Sequence, residues 1–153
     1  MIKKVAILAN GGDVAGFNAV IRGIVKTAEN NDVECYGFID GYNGLLKNEY
    51  VKLSTAEEGN AEGILPKGGS IIGSSTNANV FNYKVVKEDG TVEYQDLSDK
   101  CVQNINDDGF DCVFTLGGDG TQKSARDFSL KGVNVIGVPK TIDNDVACTE
   151  ITF

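Results

Sequence analysis

Asp143 and Asp145 stand two positions apart in the stretch PKTIDND, beside Lys140 and Thr141. Two carboxylates that close resist joint ionisation, and a neighbouring lysine or metal ion counters that resistance. Such a set suits removal of a proton from a hydroxyl as it attacks a phosphorus centre. An Asx turn after Pro139 would use the same residues with no chemistry at all. About twenty residues upstream lies LGGDGTQK, Leu116 to Lys123. Gly117, Gly118 and Gly120 allow close approach to the backbone, and Thr121 offers a hydroxyl at a helix start. Asp119 suits a phosphate only through a bridging cation, which suggests Mg²⁺. The competing expectation makes Asp119 the helix N-cap, with glycines that serve only the turn. A third stretch, NGGDVAGFN, follows a strand and opens a helix, so its N–H groups and the helix dipole could hold an anion. It is no Walker A loop, because Phe17 and Asn18 stand where Lys and Ser/Thr would be, and it does not match G-x-G-x-x-G. Alone, it fits a plain glycine turn equally well. Together the three stretches make phosphoryl transfer the most economical account.

The elements that must carry these stretches alternate between strand and helix. KKVAILA reads as a buried strand ending in the first glycine loop, and Phe17 to Ala28 places apolar residues at helical spacing. VECYGFI is a second strand. A less regular middle holds GYNGLL, a short strand near YVKL, and the turn-rich PKGGSIIGSSTNAN. Asp89-Gly90 between β-rich arms signals a hairpin. Asp96 to Asp108 reads as a helix capped by Gly109, DCVFTL as a strand, Thr121 to Leu130 as a helix and VNVIGV as a last strand. This alternation predicts an α/β fold, a Rossmann-like and mainly parallel sheet flanked by helices. Ligands in such sheets bind at the carboxyl ends of the strands, where all three stretches fall.

The chain has 153 residues, enough for one compact domain with a core. Its net charge of −8, with no Lys/Arg-rich run, argues against nucleic-acid binding and against an anionic membrane surface. No apolar stretch approaches the roughly 20 residues of a membrane span. The apolar part of MIKKVAILANGGD runs straight into a glycine turn, so it is read as a strand and not a leader, and a cytoplasmic protein is expected. Cys35, Cys101, Cys112 and Cys148 form no C-x-x-C pair, which predicts idle thiols and not a zinc or disulfide framework. Histidine is absent, which excludes an imidazole base or a Ser-His-Asp triad within this chain.

The blocks GGDVAGFNAVIRG, DGYNGLL, KGGSIIGSS, LGGDGT and GVPKTIDND, in that order and almost end to end, resemble the N-terminal part of the phosphofructokinase family. GGDGT alone is shared with lipid and NAD kinases; PKTIDND is far more specific. The resemblance implies phosphoryl transfer to the 1-hydroxyl of fructose 6-phosphate, and a chain (1–153) that is an incomplete N-terminal donor-binding domain, inactive without a sugar-phosphate half. It implies that Gly12 lies against the transferred phosphate, and that Thr76, Asn77 and Gly118 to Thr121 (Gly118, Asp119, Gly120, Thr121) cradle the donor with Lys140, Asp119 serving Mg²⁺. Asp143 becomes the base, Thr141 and Asp145 its helpers at the transition state, and Thr141, Ile142 and Asp143 contacts to the sugar phosphate. A homo-oligomer, dimer or tetramer, is expected of the full-length protein.

The same resemblance speaks on the donor. Glycine at Gly120 leaves room for the α-phosphate of ATP, while aspartate there accompanies pyrophosphate; Lys140 points toward pyrophosphate. A fixed steric block outweighs a flexible lysine, so ATP is favoured, with pyrophosphate as the alternative. Thr76 stands where many members carry an arginine for the donor phosphates. Arg22 matches an effector-site arginine of allosteric members, but the next basic position is Lys26, and a solvated helix face explains both equally.

Overall fold

A computed structural model describes residues 1–76 and 79–153. Its central sheet has five strands, in the order β3 (Tyr50–Leu53), β2 (Glu34–Phe38), β1 (Lys4–Ala9), β6 (Cys112–Gly117) and β7 (Val135–Pro139). β1 lies in the middle, parallel to β2 on one side and to β6 on the other. β7 extends the parallel set, and β3 runs antiparallel at the opposite edge. The mainly parallel α/β architecture expected from the alternation is present.

β1 is apolar at every position after Lys4 because it is covered on both faces. Val5, Ile7 and Ala9 point toward α1 (Phe17–Glu29), packing with Phe17, Ile21 and Val25. Ala6 and Leu8 point the other way, into a second core. That core takes Tyr42 and Leu45 of α2 (Tyr42–Lys47), Cys101 and Ile105 of α3 (Ser98–Asp107) and Phe128 of α4 (Asp119–Leu130). The sequence pattern left GYNGLL irregular, and the structure corrects this to α2. At six residues the helix is too short for a period to show, and Asn48 ends it in a left-handed conformation (φ 61°) that turns the chain back into β3.

The predicted hairpin is β4 (Tyr83–Val86) paired with β5 (Val92–Gln95), with Gly90 at φ 81° in the turn. α3 begins at Ser98 and not at Asp96, because the Asp96 carboxylate takes the Ser98 N–H (2.9 Å) and hydroxyl (2.5 Å) just ahead of the first turn. α4 begins two residues earlier than its pattern suggests, at Asp119. Three of the four cysteines are buried and all are free, Cys148 being the exposed one.

From β1 the chain winds outward through β2 to β3; from β6 it winds the other way to β7. The loops leaving β1 and β6 therefore diverge to opposite faces and open a crevice at the carboxyl ends of the strands.

Candidate functional site

A cleft of about 420 Å³ occupies that crevice. Its walls come from Asn10 and Gly11 after β1, from Gly118, Asp119, Gly120, Thr121 and Ser124 at the start of α4, and from Thr141, Asp143 and Asp145 after β7. Tyr42, Thr76 and Asn79 complete it. All three chemistry-bearing stretches thus reach one cavity.

The start of α4 is built open. Gly118 occupies the N-cap position with extended backbone, and no side chain caps the helix. Asp119 is therefore not the cap that the competing expectation made it. It sits inside the first turn, and its carboxylate meets the Lys123 ammonium one turn on, at 2.6 Å. An uncapped helix start whose residues line a cleft leaves its amides to an incoming anion, with the helix dipole adding to the attraction. A Cβ at Gly120 would meet nothing within 4 Å, so this chain's own packing does not demand glycine there. Gly117 differs: a Cβ would come within 2.3 Å of the Asn10 carbonyl oxygen, and glycine alone lets the two loops approach.

The loop after β1 is tied to the rest of the protein at both of its ends. The Asn10 N–H donates to Leu116, Gly11 to Ser75, Phe17 to Val14 and Asn18 to Gly69. The buried Asn18 side chain donates to the carbonyls of Lys67 (3.1 Å) and Gly68 (3.0 Å) and accepts from the Ile71 N–H (2.7 Å). Phe17 and Asn18, which break the Walker pattern, thus serve packing and loop docking. Gly12 is not among the residues lining the cleft; a Cβ there would lie 3.3 Å from the Thr76 methyl.

After β7, the Thr141 hydroxyl accepts the Asp143 N–H (3.2 Å) and lies 3.4 Å from Asp143 Oδ2. Asp143 is solvent-exposed, and so is Ile142, at 83%. Lys140 stands apart. Its side chain is 3% exposed, and its ammonium pairs with Asp13 at 2.5 Å, away from the cleft-lining set. The hydrogen bond from Lys140 holds the Asp13 carboxyl below its usual range.

Asn77 lies outside the described residues. Asn10, Tyr42, Asn79 and Ser124 line the cleft without having been singled out in the sequence. Asn10 and Ser124 adjoin the two glycine motifs and were within reach of that signal; Tyr42 and Asn79 come from the irregular middle and were not.

No cluster of three metal-ligating side chains occurs among the described residues. Mg²⁺ usually takes one or two carboxylates and keeps the rest of its shell in water and phosphate oxygens. Asp119 in the cleft wall supplies such a carboxylate. The Asn10 side-chain oxygen, buried in the same wall with no hydrogen-bond partner among the described residues, adds an unsatisfied polar group. The residues present fit a metal that arrives with its phosphates.

A family model described as phosphofructokinase matches residues 4–153. The ATP-dependent 6-phosphofructokinase 2 of Clostridium perfringens is 50% identical over 153 residues, covering 99% of this chain and 41% of the relative. The ATP-dependent 6-phosphofructokinase 3 of Bacteroides thetaiotaomicron is 40% identical, covering 98% and 42%. The chain thus spans about two fifths of the length of these relatives. Among solved structures, Pichia pastoris phosphofructokinase in the T-state aligns with a TM-score of 0.81 at 25% identity, covering 99% of this chain and 16% of that one. A pyrophosphate-dependent phosphofructokinase from Marinobacter aquaeolei shares the fold, with a TM-score of 0.70 at 24% identity over 97% of this chain and 36% of that one.

Proposed function

The chain belongs to the phosphofructokinase family, and from that premise we propose that it is the N-terminal donor-binding part of an enzyme that transfers a phosphoryl group from ATP to the 1-hydroxyl of fructose 6-phosphate. The product is fructose 1,6-bisphosphate, and further sequence supplies the sugar-phosphate half. The observation that carries this reading is one cleft that joins the uncapped start of α4 to the carboxylates of Asp143 and Asp145. A cytoplasmic homo-oligomer, dimer or tetramer, is proposed from the same family resemblance.

Asp143 accepts the proton of the 1-hydroxyl as that oxygen forms its bond to the γ-phosphorus and the bond to the ADP oxygen breaks. Thr141 sets the Asp143 backbone through its hydroxyl. The first-turn amides of α4 receive donor phosphate oxygens, and Asp119, paired with Lys123 in this structure, is the residue that would hold Mg²⁺. Mg²⁺, when bound, supplies neutralisation of the phosphate charge.

Three observations support ATP as the donor. A Cβ at Gly120 would meet only open cleft, Lys140 is committed to Asp13, and the relatives carry ATP in their names. Pyrophosphate is the second reading, and Lys140 is what favours it.

The test uses the complete reading frame containing this chain, assayed for fructose 1,6-bisphosphate with Mg²⁺ and either donor. ATP-driven turnover that disappears in Asp143→Ser, with donor binding retained, is the expected result. Turnover with pyrophosphate alone overturns the donor; undiminished turnover in Asp143→Ser overturns the base.

A further inference from the structure

Asp13 lies outside the cleft lining, yet one of its oxygens is shared by two donors from the loop after β7. Oδ2 accepts from the Lys140 ammonium at 2.5 Å and from the Ile142 N–H at 2.9 Å. The Lys140 backbone N–H donates to the Gly117 carbonyl at 2.9 Å, at the end of β6. Residue 140 is thus gripped from both central strand ends, its amide by β6 and its ammonium by the loop after β1. The Phe153 ring lies over the ammonium at 5.6 Å and helps to shut it from water.

We propose that Asp13 is a positioning residue: it clasps Lys140 and Ile142 so that the turn bearing Asp143 is held at the mouth of the cleft. The inference rests on the reading of Asp143 as the base. Asp143 has its own N–H on the Thr141 hydroxyl, so what fixes residues 140 to 142 fixes Asp143. A buried ammonium is tolerated only while paired. Removing the charge of Asp13 drives Lys140 toward water and pulls Thr141 and Ile142 with it. Removing the charge of Lys140 leaves a one-third exposed carboxylate that still holds the Ile142 N–H. The two substitutions therefore have unequal effects, and the second repairs the first. Lys140 is accordingly a strut of the turn and not a ligand of the donor.

The experiment compares Asp13→Asn, Lys140→Met and the double variant in the full-length enzyme, with steady-state kinetics and amide exchange at Ile142 without substrates. A displaced catalytic group can cost about 100-fold. Asp13→Asn is accordingly expected to lower kcat about 30- to 100-fold with both KM values within about threefold. Its Ile142 amide should lose at least about tenfold of its protection. Lys140→Met should lose less kcat than Asp13→Asn, and the double variant should recover at least about tenfold of what Asp13→Asn loses, since neither holds an unpaired buried cation. The double variant also covers the case in which Asp13→Asn does not fold. Unchanged Ile142 exchange in Asp13→Asn overturns the clasp, and so does a double variant as slow as Asp13→Asn. Lost protection with intact kcat overturns the positioning role. A wild-type enzyme inactive with both donors sinks the functional reading instead, while Ile142 exchange still judges the clasp.

Discussion

The loops after β1 and after β6 are both glycine-rich, both turn a buried central strand into a helix, and both border the same cleft. Their first-turn amides nevertheless differ. After β1, three backbone N–H groups go to other parts of the chain and a fourth, that of Phe17, closes onto Val14, and Asn18 pins the 67–71 loop over the helix start. Both helices start at a glycine N-cap without a side-chain partner; what differs is that the first-turn amides of Phe17 and Asn18 have backbone acceptors, whereas the residues of the first turn of α4 line the cleft. The start of the first helix is tied to the chain by its own amides; under the proposed function, the start of the second receives the donor. Glycine content alone does not mark a phosphate site. What separates the two loops is whether the first-turn amides already have partners.

This contrast can be broken most severely at Gly117, where the two loops pack closely. Gly117→Ala puts a methyl within 2.3 Å of the Asn10 carbonyl oxygen and is expected to cost about 3 kcal/mol, read by chemical denaturation. Asn18→Ala strips the three bonds to the 67–71 loop, and about 2 kcal/mol of lost stability is expected, with donor affinity little changed. Gly120→Ala sharpens the contrast from the other side. Its Cβ meets only cleft, so stability should hold within about 0.5 kcal/mol while donor affinity, measured by calorimetry, falls at least about tenfold. A Gly120→Ala enzyme that binds its donor normally would falsify the role of the open cleft. The smallest effect concerns the strut between the loops. The Asp13 carboxyl is depressed below 3.8, chiefly by its hydrogen bond from Lys140. Its stabilisation is therefore complete above that ordinary value and lost as pH falls through the lower folded one. Asp13→Asn should remove that part of the acid sensitivity, seen as a flatter fall of melting temperature below pH 4.

The sequence pattern carried these two loops unequally. β1, β6 and α1 were legible because their apolar residues recur without interruption or at helical spacing, and α4 was legible except for its first two residues. There, Asp119 and Gly120 look like a loop because neither is a strong helix former, yet the turn takes them in. α2 was illegible for a different reason. It is six residues long, and Gly44 sits inside it because a Cβ would lie 2.0 Å from the Ile39 carbonyl oxygen. In the site, Gly118 to Thr121, Thr141, Asp143 and Asp145 stood in motifs the sequence marked, and all of them line the cleft. Lys140 showed its charge but not its partner, which lies 127 residues away. No local pattern predicts that pairing. The sheet creates it by placing the ends of β1 and β7 on either side of β6.

Val5, Ile7 and Ala9 belong to one core and Ala6 and Leu8 to the other, so a single strand is the inner wall of both. Neither core can melt while the other survives, since losing β1 opens both at once. The chain's two hydrophobic halves should therefore behave as one cooperative unit. Near-ultraviolet signals from Phe17 on one face and Tyr42 on the other, isolated by substituting the remaining aromatics conservatively, should fall along one coincident curve. Two separated transitions would mean that β1 holds its place with only half of its cover.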